Sequence, residues 1–154
     1  MKRLNIIFFC ICLLISAGDL RAQSTEDSVK AVVNGLFNAM KTANSAALIE
    51  AFADSAILQT IAQNKDGGKY VRNEAVKSFA TSISSLKSGD ADERISFETI
   101  KIDADLALVW TPYKFYYKGN FSHCGVNSFH LVRLNGKWKI QYLIDTRRKT
   151  PCEP

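Results

Sequence analysis

The chain has 154 residues, nearly half of them apolar and under a quarter charged, with a formal net charge of +5. That is room for one domain with a real core, and no internal repeat points to a solenoid. The basic excess is mild and scattered except at Arg147-Arg148-Lys149, which argues against a nucleic-acid surface.

At the start, Lys2-Arg3 precedes an apolar run, Leu4–Ile15, broken only by Asn5, and then Ser16-Ala17-Gly18. This order of charge, apolar run and small residues reads as a secretory signal peptide over residues 1–22, with cleavage after Ala22 or Gly18. The alternative is a buried or anchoring helix, but the run is shorter than the roughly 20 residues a membrane span needs. Cys10 and Cys12 lie inside the apolar run, and no cysteine follows the small residues as a lipid anchor requires. The expectation is a soluble periplasmic or secreted domain over residues 23–154, without a stable membrane anchor. Lys2, Arg3 and Arg21 leave with Asp19, so 17 basic residues face 14 acidic ones and the charge falls to +3.

Val29, Val32, Val33, Leu36, Phe37 and Met40 recur at three and four, predicting an amphipathic helix from about Glu26 to Thr42 capped by Ser24 or Thr25. Asn44 or Ser45 caps a shorter helix carrying Leu48, Ile49 and Phe52, and Ala56–Ala62 is a short strand. Asn64–Lys69 is a loop around Asp66-Gly67-Gly68, and Asn73 is expected to cap a third helix with Val76, Phe79, Ile83 and Leu86 on one face. Lys87–Asp92 reads as a polar connector. In Arg94–Asp103, Ile95 and Phe97 point one way and Ile100 and Ile102 the other, so a bulge near Thr99 is expected.

The last third is a three-strand meander, Leu106–Tyr117, Phe121–Leu134 and Lys137–Arg148, turning at Lys118-Gly119-Asn120 and Asn135-Gly136. Two-residue loops would set Trp110 opposite Phe129, Leu108 opposite Leu131, Leu131 opposite Ile140 and Phe129 opposite Tyr142. One face would then carry Leu108, Trp110, Phe129, Leu131, Trp138, Ile140, Tyr142 and Ile144, an apolar wall for the helices to cover. The predicted class is α+β, a curved antiparallel sheet wrapped over three N-terminal helices.

Removing the leader leaves Cys124 and Cys152. In an oxidising compartment a bridge between them is the leading reading, with a catalytic cysteine as the alternative. A straight strand would hold Cys152 roughly 15 Å from Cys124, so the bridge needs the chain to turn back near Pro151.

The predicted register puts His123 on one face with Tyr116, Asn127, Phe129 and Arg148, while His130 points the other way. His123 is either a hydrogen-bonded strand residue or a base at a pocket mouth. Asp145 and Arg147, two apart on a strand, share a side. They form a surface charge pair, or a ligand anchor if a bulge turns them inward. Tyr113, Phe115, Tyr116 and Tyr117 read as strand formers rather than a stacking platform. Neither zinc-ligand spacing nor a phosphate loop occurs, so no metal or cofactor is expected.

The order of elements, with Gly136-Lys137-Trp138-Lys139-Ile140 opening the last strand, resembles the nuclear transport factor 2-like superfamily from about Glu26 to Arg148. That group includes ketosteroid isomerase-like, polyketide-cyclase-like and lumazine-binding-like proteins. His123-Cys124-Gly125-Val126-Asn127 with Asp145-Thr146-Arg147-Arg148 is similar to small exported bacterial members. The resemblance implies a cone-shaped sheet with a pocket inside and homodimers through its uncovered face. The isomerase-like enzymes carry a carboxylate base in the first strand region, where Ala56–Ala62 offers only Gln59 and Thr60. The expected function is therefore binding of a small apolar or aromatic molecule by Trp110, Tyr116, His123, Asn127, Phe129, Tyr142, Asp145 and Arg147. Two alternatives stay open: a cyclase, isomerase or dehydratase using His123 or Asp145 for proton transfer, and a structural homodimer with a filled pocket.

Overall fold

A computed structural model describes residues 24–152, so the expected leader lies outside the described residues. Helix α1 spans Thr25–Lys41; the Ser24 side chain accepts the Asp27 N–H, and Glu26 and Asp27 suit the positive first turn. Asn44 caps α2 (Ser45–Ala51) by accepting the Ala47 N–H. Strands β1 (Phe52–Gln63) and β2 (Lys69–Glu74) form a hairpin around the Asp66-Gly67-Gly68 loop, and α3 (Val76–Ser84) follows. Asn73 is not its cap. It lies in β2, where its Oδ1 accepts Gln59 Nε2 at 2.7 Å, and α3 starts after Ala75 without a side-chain cap.

The remaining strands are β3 (Ala91–Ile95), β4 (Thr99–Asp103), β5 (Leu106–Tyr117), β6 (Asn120–Leu134) and β7 (Lys137–Thr146). The sheet runs β2-β1-β7-β6-β5-β3, with β4 also on β5. Every pair is antiparallel except β1 with β7, so the sheet is mixed rather than antiparallel. No hairpin joins those two strands, and nothing in local turn chemistry sets their relative direction. The third helix also departs from the expected order, since two strands precede it.

The slip near Thr99 is an interruption between two strands. Ile95 pairs with Tyr113 and Thr99 with Trp110, so this side holds one residue more than β5 over the same stretch.

Asn135 and Gly136, with φ of 50° and 80°, make the expected turn in type I′ geometry, while the first turn is Lys118-Gly119 alone, at 50° and 79°, with Asn120 already in β6. The meander's register is not the expected one. Tyr117 pairs with Asn120, then a bulge shifts β6 so that Phe115 meets His123 and Val109 meets Phe129. A one-residue shift exchanges faces. Ala107 and Val109 therefore point into the core, while Trp110 is 40 % exposed on the outer face. Leu131 does oppose Ile140, but a second bulge at Gln141 then sets Phe129 against Leu143 rather than Tyr142.

The core lies between α1 and the inner sheet face. Val29, Val33, Leu36 and Phe37 meet Val109, Phe129, Leu131 and Ile140, and Phe37 meets Phe129 edge-on at 6.1 Å. Beyond β7 the tail pairs Arg148 with Cys124, and Arg148 Nε donates to the Pro151 carbonyl at 2.7 Å. The turn brings Cys152 back to Cys124. Their Cα atoms are 5.8 Å apart and the sulfurs are bonded, so the bridge reading holds and the free catalytic cysteine does not.

Candidate functional site

The bulge at Gln141 is what builds the site. Past it, the inward positions of β7 become Leu143 and Asp145, so a carboxylate that a straight ladder would turn outward faces the interior. Thr60, Asp145, Asn127 and Thr111 then form a polar row across β1, β7, β6 and β5, all four buried. Thr60, Asp145 and Asn127 of this row line a cavity of about 280 Å³ between the sheet and the helices. Leu36, Phe37 and Met40 of α1, Phe79 and Ile83 of α3, and Leu58 of β1 make much of its apolar wall. A cavity of this size, mostly apolar with a few convergent polar groups, has the usual make-up of a small-molecule site.

Asp145 accepts three side-chain donors: Thr60 Oγ1 at 2.5 Å, Arg147 Nε at 2.8 Å and Tyr113 OH at 3.1 Å. Arg147 also donates to Thr60 Oγ1 at 3.2 Å, and Tyr113 OH shares its proton with the Thr146 carbonyl at 2.9 Å. Burial tends to neutralise Arg147, but hydrogen bonding and charge from Asp145 outweigh it and hold the guanidinium charged. Burial first, then Asp145 and Glu93, drive the Tyr113 phenol far above its ordinary range, so it keeps the proton it donates.

Glu93 completes the polar end. Asn127 Nδ2 donates to its Oε1 at 2.8 Å. Burial, aided by the Asp145 charge, pushes Glu93 up to about 7, against the Asn127 hydrogen bond and Arg147. Part of its surface stays open and it lines the cavity, where a guest can reach it. His123 lines the same cavity, with Tyr113 edge-on at 5.7 Å and Phe115 tilted at 5.1 Å. Burial and Arg147 lower its affinity for a proton, so it is a neutral imidazole near pH 7. Its Nδ1 lies 3.0 Å from Ser122 Oγ. Among the described residues no three His, Cys, Asp or Glu side chains gather to hold a metal.

Of the eight residues expected to bind a ligand, the structure brings four together at this cavity: His123, Asn127, Asp145 and Arg147. The other four lie elsewhere. Trp110 is on the outer face, turned by the register shift. Tyr116 carries the Arg94 guanidinium 4.1 Å above its ring and packs on Phe121. Phe129 is fully buried core. Tyr142, moved outward by the Gln141 bulge, donates to Gln59 Oε1 at 2.7 Å and meets His130 at 5.8 Å. Sequence reasoning missed Glu93, Tyr113 and Thr60. The alternation Ala91, Glu93, Ile95 is a strand signal that the polar surroundings masked.

Residues 24–142 match the family model described as Putative lumazine-binding. The chain belongs to that family. The match takes in Glu93, Tyr113, His123 and Asn127 and stops before Asp145 and Arg147. Among solved structures, the chain is similar to a nuclear transport factor 2-like protein of unknown function from Shewanella baltica, at 14 % identity and TM-score 0.63 over 81 % of this chain and 94 % of that one. A second such protein, from Methylobacillus flagellatus, has 18 % identity and TM-score 0.62 over 81 % and 94 %. A cystatin-like domain of unknown function from Nostoc punctiforme has 15 % identity and TM-score 0.64 over 82 % and 80 %. These likenesses show that the putative lumazine-binding chain has the nuclear transport factor 2-like fold. No curated protein matches it.

Proposed function

We propose that this is an exported binding domain whose cavity takes one small, largely apolar molecule and orients it at the polar end by Glu93, Asn127, His123 and Arg147. One observation carries the reading: a cavity of about 280 Å³ whose apolar wall ends in hydrogen-bonded polar side chains from five strands. The family's description as lumazine-binding supports a small-molecule guest. Native mass spectrometry of protein purified from its own cells tests it. A co-purifying small molecule lost in variants that fill the cavity, such as Ala91→Phe, supports the reading; an empty protein that binds nothing in a broad thermal-shift screen contradicts it.

A second reading, proton-transfer catalysis, is favoured by Glu93. A carboxyl held near neutrality in an apolar cavity suits a general acid or base. Asp145 is the weaker candidate, because three donors already engage it. For the outer sheet face we propose a homodimer contact, supported by exposed Ile57, Ile61, Val71 and Trp110.

A further inference from the structure

The ionisable groups on the cavity wall do not balance. Among the described residues that line it, Glu74, Glu93 and Asp145 are acidic and Arg147 is the one basic group, with His123 neutral near pH 7. Arg147 is already engaged, bonded through Nε to Asp145 and through Nη2 to Thr60. Glu74 stands 3.9 Å from Arg72 outside the cavity wall. Glu93 is the exception: its side-chain partner is the uncharged amide of Asn127. The rest of the protein has the opposite sign, with a formal charge of +5 for the whole chain.

A carboxylate inside a protein is normally met by a cation, and one held only by an amide lacks its counter-charge. Around Glu93 the wall is aromatic, with Tyr113, Phe115, Tyr117 and His123 lining the same cavity. Aromatic faces attract cations and repel anions. We infer that the missing counter-charge is supplied by the guest: the cavity takes a small flat molecule bearing a positively charged nitrogen, an amidinium or ammonium group on an aromatic ring, with the nitrogen against Glu93. This rests on the ligand-binding reading above and narrows it to a charge class. Asp145 then serves as a positioning residue. It neutralises Arg147, which would otherwise repel such a guest.

A matched charge series tests this: benzamidinium, benzamide and benzoate share one ring and differ in charge. Each is titrated against the full mature protein and followed by thermal shift and calorimetry. Benzamidinium should raise the unfolding midpoint and bind at least about tenfold tighter than benzamide, with benzoate weakest. Glu93→Gln, which keeps the Asn127 contact, should abolish the preference, and in the native protein the preference should grow as pH rises from about 6 to about 8. The pH arm reads Glu93 against the other wall groups, Glu74, Asp145, Arg147, His123, Tyr113 and Tyr117, and the wild-type series needs no variant to fold. If benzamide or benzoate binds as well as benzamidinium, the cavity still binds rings and the cation assignment is overturned. If none of the three binds, the binding reading falls with it.

Discussion

Glu93 costs the fold stability at neutral pH. Its pKa is raised from 4.5 in the unfolded chain to about 7 in the fold. Between those values the native state holds a proton that the unfolded state has released. Stability therefore falls as pH rises across that window and levels off above it. Allowing for the water its open side reaches, the loss is on the order of 1–2 kcal/mol. Glu93→Gln should recover that amount at pH 8 and change little at pH 4.5; urea unfolding at both values checks it, and parallel pH profiles for the two proteins would contradict it. Asp145→Ala should cost more, about 3 kcal/mol or above, because Arg147, Tyr113 and Thr60 lose their shared acceptor. Gly125 is fixed by space. A Cβ there would lie 1.8 Å from the Thr146 carbonyl oxygen and 2.8 Å from the Tyr113 ring. Gly125→Ala should therefore destabilise by about 2–3 kcal/mol in the same assay and loosen Tyr113 from Asp145.

Among the elements, those with a strong local signature were legible and those set by pairing were not. The spacing of Val29, Val33, Leu36 and Phe37 marks α1, and Asn135-Gly136 marks its hairpin, because each depends on residues close in sequence. The bulges at Ser122 and Gln141 leave no such mark. Each adds one residue to one strand, and together they exchange Trp110 and Tyr142 for Val109 and Asp145 on the inner face. Two of the eight expected site residues, Trp110 and Tyr142, thus lie on the outer side of the sheet. The parallel pairing of β1 with β7, which brings Thr60 to Asp145, is equally invisible, since 85 residues separate the two. The tail beyond β7 is held by the bridge from Cys152 to Cys124, which closes a separation of 28 residues. Cys152→Ser should lower stability by about 3 kcal/mol on the chain-entropy account, read as a reduced denaturant midpoint.

At the scale of the whole molecule, the sheet over the described residues curves so that one face makes the cavity and the other is exposed at Ile57, Ile61 and Trp110. The two faces carry different chemistry: a polar row and Glu93 within, Ile57, Ile61 and Trp110 outside. If the outer face joins two copies, Trp110→Glu should give monomers by light scattering while leaving ring binding intact. The central claim is that the guest sits inside, against Glu93 and Asn127. Backbone amide mapping during titration with indole, a neutral ring small enough for the cavity, tests it most directly. The account predicts shifts concentrated at Glu93, Tyr113, His123, Asn127 and Leu143. Shifts confined to Trp110, His130 and Tyr142 on the outer face, or none at all, would contradict it.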